Sequence, residues 1–140
     1  AIDRLVAIHQ ALIEKNDHYW ADQVEIQRLG AAAWLAHDLK LMRAAADLET
    51  STEKHPVTPG SILPARELLS EMLLDADKPE ESLAEAEHAL RDAPNRYNGL
   101  SLAAQAADRA GKLDEAKKYR AKIAELRKGA MVTITTISRR

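Results

Sequence analysis

Apolar residues recur along this chain at intervals of three and four, the spacing that covers one face of an α-helix. Ile2, Leu5, Ile8 (with Val6), Leu12 and Ile13 set the pattern over residues 2–15. It resumes over 18–37, 40–50, 62–76, 79–92, 96–110 and 113–128, so seven helices are predicted. Between the third and fourth lies Thr50-Ser-Thr-Glu-Lys-His-Pro-Val-Thr-Pro-Gly-Ser61, whose two prolines and glycine exclude a helix. A loop of that length either has a task, such as covering a helix end or contacting a ligand, or is a plain crossover. The crossover reading is the simpler one, with Val57 and Ile62 as its anchors in the core.

Residues 64–126 contain one helical hairpin written twice, as 64–94 and 97–126. Leu69 and Ser70 fall on Ala103 and Ala104, a pairing of apolar and small residues that lets two helices approach closely. Asp77 falls on Gly111, the expected left-handed helix stop. Asp114 and Glu115 follow Gly111 at the start of the next helix, where carboxylates favour the dipole. In the first copy Asp77 and Glu80 have capping-box spacing and Pro79 lies in the first turn. Ser82, Ala86 and Ala89 line a small-residue seam, matched less well by Ala116, Arg120 and Ile123. Pro94 ends the first hairpin.

A degenerate third copy is legible at 20–49. Leu29-Gly30 gives the large-small pair, Ala31 to Ala33 the close-packing face, and Leu41 to Leu48 the end of a second helix. Four fewer residues separate Gly30 from Ala45 than Ser70 from Ala89, and no small turn residue stands near Leu39-Lys40. Either two helices run on as one, or residues belonging there are absent. The second reading is preferred, because a repeat without its turn cannot fold back to bury its apolar face.

The pair of copies resembles the tetratricopeptide repeat family, whose period is roughly 34 residues. The likeness is carried by Ala84-Glu-Ala-Glu-His-Ala-Leu-Arg-Asp-Ala-Pro94 and by Ala110-Gly-Lys-Leu-Asp-Glu-Ala116. The family's bulky aromatic late in the second helix is absent where Ala86 stands, and Tyr119 sits one residue early. Residues 20–126 look like a piece of larger bacterial proteins of this family, particularly Glu53 to Gly60 followed by Leu63 to Leu69. The resemblance implies an all-α, tetratricopeptide-like solenoid of helical hairpins over 1–128. The first helix then stands as the second half of a preceding repeat.

Composition agrees with that class. The 140 residues include 46% apolar side chains but no phenylalanine and only 4% aromatics, which suits close-packed, alanine-rich helices rather than a sandwich or barrel. No stretch approaches the roughly 20 apolar residues that cross a bilayer. A net charge of −2 and a pI near 6.2 give no electrostatic reason to expect nucleic acid. The absence of cysteine removes disulfides, thiolate metal sites and cysteine catalysis, and fits cytoplasm and bacterial periplasm equally. The chain begins at Ala1 without methionine or an apolar leader, as a processed or truncated product does.

The segment 129–140 is different in kind. Met131 to Ser138 is β-branched and free of charge, so it is expected to stand apart from the seventh helix as a disordered tail. An added strand on another chain's edge, or sequence unrelated to the repeats, are its other readings.

No enzyme signature is visible, and no cofactor or metal is called for. His9, His18, His37, His55 and His88 are spread widely along the chain, with no i, i+4 pair. Glu85-Ala-Glu-His88 places a carboxylate and an imidazole one turn apart, as in carboxylate-bridged di-iron bundles, yet only one such motif exists. His88 is expected on a solvated face. A catalytic site assembled only in three dimensions is the third-ranked reading.

Binding is the positive expectation, because stacked hairpins line a concave face with the first helix of each pair. The resemblance assigns to that face Gln27 and Ala31, then Glu67, Glu71 and Asp75, then Asn98, Ser101, Gln105, Asp108 and Arg109. The family's carboxylate clamps need neutral or positive groups where Glu67 and Glu71 stand, so a basic or polar peptide, or a partner domain, is expected instead. The alternative is a structural stretch of a longer repeat protein, without a ligand of its own.

Overall fold

The computed structural model describes residues 1–52 and 61–137. Seven helices run through them: α1 (Ile2–Glu14), α2 (His18–Ala36), α3 (Leu39–Ser51), α4 (Ala65–Asp75), α5 (Pro79–Asp92), α6 (Tyr97–Arg109) and α7 (Leu113–Ile137). No strand occurs among the described residues, so the chain is all-helical there. Residues 53–60, with His55 and the expected anchor Val57, lie outside the described residues. Ile62, the other expected anchor, is 89% exposed, so its side chain does not enter the core.

Helix α7 continues to Ile137 through positions expected to form a separate tail. A β-branched residue is only a few tenths of a kcal/mol worse than average in a helix, and extension needs no new nucleus. A helix already nucleated over 113–128 therefore propagates.

The turn expected to be missing near Leu39-Lys40 exists two residues earlier. His37 adopts the left-handed conformation (φ 51°, ψ 38°), and the Asp38 N–H returns to the Ala33 carbonyl at 2.9 Å. The Asp38 carboxylate then accepts the Leu41 N–H at 3.0 Å and caps α3. The same closure follows Asn16, Asp77 and Gly111, all at positive φ. There the Asp17, Lys78 and Lys112 N–H groups reach the carbonyls of Leu12, Leu73 and Ala107 at 3.0, 2.9 and 2.8 Å. Histidine, asparagine and aspartate enter that conformation more readily than other side chains, so no glycine and no further residues are needed at 37–38. The capping-box reading of Asp77 and Glu80 is corrected by the same geometry. Lys78 is the N-cap of α5, and the Asp77 carboxylate turns to Arg109 at 2.8 Å.

Each helix packs on its neighbours in sequence, and beyond those α4 touches both α2 and α6. One core cluster joins Ile26, Ala33, Met42, Ala45, Ala46, Leu69, Met72 and Leu73 across α2, α3 and α4. The other joins Leu74, Leu83, Ala86, Leu102, Ala103, Ala106, Ala107 and Ala116 from α4 to α7. Within the two copies Leu69, Leu73, Leu100, Ala103, Ala107 and Ala116 are buried, while Leu90 and Ile123 are half-buried. Small residues let backbones approach: Ser70 Oγ donates to the Ser82 carbonyl at 3.0 Å and Ser82 Oγ to the Ser70 carbonyl at 2.7 Å. Positions that α5 fills with Leu83, Ala86 and Leu90, in one core with α6, carry Lys117, Arg120 and Ala124 in α7. Among the described helices α7 packs on α6 alone, so that flank is solvated and the second copy matches the first poorly there.

Candidate functional site

The candidate residues lie on α2, α4 and α6, three helices in mutual succession through α4. They do not form one open acidic face. Glu67 is 1% exposed, its Oε1 accepting Arg96 Nε at 2.7 Å and its Oε2 accepting Asn98 Nδ2 at 2.8 Å. Arg96 also donates to the carbonyls of Ser61 and Ile62, and so ties the end of the crossover to α4 and α6. A buried carboxylate answered on both oxygens is a structural fastening and offers no charge to a ligand. This corrects the expectation of Glu67 as an open groove residue.

The other α6 candidates are engaged as well. Asp108 pairs with Arg120 of α7. Arg109 donates to the Leu74 carbonyl at 2.7 Å and to Asp77, closing the C-terminal end of α4. Gln105 Nε2 reaches the carbonyl and hydroxyl of Ser101 at 3.3 Å, within its own helix. Asp75 is exposed near the end of α4.

Gln27, Ala31 and Glu71 come together instead. They line a groove of about 550 Å³ whose remaining wall is nearly all apolar. From α2 come Ile26, Gly30, Trp34 and Leu35; from α4 come Ala65 and Leu68; Leu63, Ala1 and Ile2 complete it. Leu35 is 74% exposed, Leu63 61% and Trp34 40%, an apolar patch of the kind that marks an interaction surface. Glu71 has no hydrogen-bond or ion-pair partner among the described residues.

No family model, curated protein or solved structure matches this chain. Its functional reading therefore rests on its own geometry.

A second cavity, about 140 Å³, lies beside Arg66, Glu67, Glu49 and Arg96. The Arg66 guanidinium is buried and fully engaged, donating to Glu85 Oε2 (2.6 Å), Asp47 Oδ1 (3.0 Å), Thr50 Oγ1 (2.8 Å) and the Ala46 carbonyl (3.2 Å). Arg43 donates to the other oxygen of Glu85 at 2.6 Å. Glu85 thus faces two arginines, and its one-turn spacing from His88 makes no chelating pair. His88 is half-buried rather than solvated, and burial together with Arg66 and Arg91 holds its pKa below the usual histidine value. Burial and a 2.6 Å hydrogen bond to Glu87 push the Tyr119 phenol up. Among the described residues every buried side-chain nitrogen and oxygen has a partner. Among the described residues no group of three or more acidic or histidine side chains is placed to hold a metal ion. No described helix is long and apolar enough to cross a membrane.

Sequence reasoning missed Gly30, Trp34, Leu35, Leu63 and Leu68 as groove residues. A signal was present in α2, whose Ile26, Leu29, Trp34 and Leu35 spread apolar surface around more of the helix than one packing face uses.

Proposed function

We propose that this chain is a protein-interaction scaffold, a tetratricopeptide-like solenoid that receives a partner segment in the groove between α2 and α4. The carrying observation is that groove: about 550 Å³, apolar, and flanked by the exposed side chains of Trp34, Leu35 and Leu63. The contact of α4 with α2 and α6, skipping one helix each time, supports the stacked-hairpin reading. So do the repeated left-handed turns at His37, Asp77 and Gly111.

The ligand is apolar with a basic accent rather than broadly basic. Of the carboxylates Glu67, Glu71 and Asp108 on the expected binding face, Glu67 is buried and paired and Asp108 is paired with Arg120. Glu71 alone of them is unengaged among the described residues. The test is selection of binders from a displayed library of unbiased protein fragments, followed by binding to the Ala31→Arg/Leu63→Glu double variant. Both positions are exposed, so the helical circular dichroism should be retained. Saturable binding that the double variant loses is expected. No saturable binder, or equal binding by the variant, overturns the proposal.

A structural stretch in a longer stack is the second reading, and α1 favours it. Val6, Ile8 and Ile13 are exposed on a helix that contains no fully buried residue. A partner held only through α1 would ignore changes at Ala31 and Leu63.

A further inference from the structure

Two of the helical glycines differ in what the fold asks of them. At Gly99 an added Cβ would come within 3.1 Å of the Leu90 side chain and 3.2 Å of the Glu67 carboxylate, so these neighbours would have to shift by a few tenths of an ångström to admit it. At Gly30, midway along α2 and without positive φ, an added Cβ would meet nothing within 4 Å. Glycine inside a helix is destabilising relative to alanine, and no contact within the described chain offsets that at Gly30. Gly30 itself is buried at the floor of the groove, and the space in front of it is the groove's own volume.

Gln27, Gly30, Ala31 and Trp34 stand at i, i+3, i+4 and i+7, the spacing at which the surface of one helix receives another. Absent or small side chains at the middle of such a stripe permit close approach of a second backbone. A peptide that binds by adding a strand finds no sheet edge on α2 and α4, whose backbone groups bond internally. Glu71, without a partner among the described residues, adds one negative charge to an otherwise apolar wall.

We infer that the groove seats one amphipathic α-helix of a partner protein. Its axis crosses Gly30 and Ala31, its apolar stripe packs on Trp34, Leu35 and Leu68, and a lysine or arginine one turn along pairs with Glu71. This rests on the interaction-scaffold reading and specifies its ligand.

The test uses the full chain and two displayed peptide libraries. One is helix-stapled, with leucine fixed at i, i+3, i+4 and i+7 and the other positions random; the other is fully random and unconstrained. The stapled library should be the one that yields saturable binders, enriched in lysine or arginine at one position. Gly30→Leu should weaken the best binder about tenfold or more, equivalent to roughly 1.4 kcal/mol. Glu71→Lys should weaken it too, with recovery when the peptide's cation is exchanged for glutamate. Gly30→Ala should raise the Tm of the free chain by about 2–4 °C, while weakening binding, an effect a structural glycine does not give. Indifference to Gly30→Leu and to the charge exchange overturns the inference, as does enrichment from the unconstrained library alone or a fall in Tm for Gly30→Ala. Self-association of the free chain that Gly30→Leu abolishes makes the occupant a second copy and also overturns it. Failure of both libraries to yield any saturable binder takes the interaction-scaffold reading down with it, whereas unconstrained binders alone leave that reading standing.

Discussion

Arg96 donates through Nε to the buried carboxylate of Glu67 at 2.7 Å, joining the start of α6 to the start of α4 across 29 residues of chain. With Asn98 on the second oxygen at 2.8 Å, this contact fastens one hairpin to the next. Replacing Glu67 with leucine removes the acceptor of both, and should cost about 2–4 kcal/mol in urea denaturation. Reversal to lysine should be worse, since it buries a cation beside Arg96. A variant as stable as the parent would show that the carboxylate is dispensable. Glu71→Lys, on a half-buried groove position, should stay within about 0.5 kcal/mol of the parent.

His37 holds a left-handed conformation that a side chain disfavours and glycine does not. His37→Gly should therefore stabilise the chain by about 0.5–1 kcal/mol, read as a higher urea midpoint with an unchanged slope. A loss of stability would mean that the imidazole contributes more than its backbone costs.

Ala103 is fully buried among Leu74, Leu83 and Ala107 in the core shared by α4 to α7. Ala103→Leu should force the helices apart at a cost of about 1–3 kcal/mol. An unchanged Tm would refute this packing register.

Tyr119 donates its phenolic hydrogen to Glu87 at 2.6 Å, and burial with that bond raises its pKa above the ordinary value of 10.0. A folded-state pKa above the unfolded one means that the folded chain keeps its proton longer. The stabilising contribution is complete below pH 10 and declines as pH rises beyond it. Tyr119→Phe should cost about 1 kcal/mol at neutral pH and flatten the alkaline decline. Parallel alkaline curves for parent and variant would exclude Tyr119 as its source.

Burial keeps neutral His88 favoured, so its pKa lies below the unfolded value and its contribution is present above that value. Stability should fall as pH drops through the mid-acidic range, and His88→Gln should remove part of that fall. Identical acid limbs for the two proteins would count against it.

The sequence by itself determined the helices. Apolar spacing placed seven of them, and local chemistry ended several: Pro79 opens α5, Gly111 stops α6, and the alanines at 103, 107 and 116 entered the core because only small residues let helices approach. These features depend on residues within a few positions of one another, which periodicity and propensity register. The tertiary structure decided what crosses between helices. Glu67 occupies a helix position that looks open until Arg96 and Asn98 arrive from the next hairpin, and Arg109 is spent on the end of α4 rather than on a ligand. His37 had no distinguishing signal, because a left-handed turn is available to histidine but not announced by it. The groove over Gly30 was marked only by the wide apolar spread of α2, which does not say what the surplus surface faces. Whether a small residue is packed against or left open is set by the placement of two helices whose contact spans a long stretch of sequence, and no local pattern records that distance.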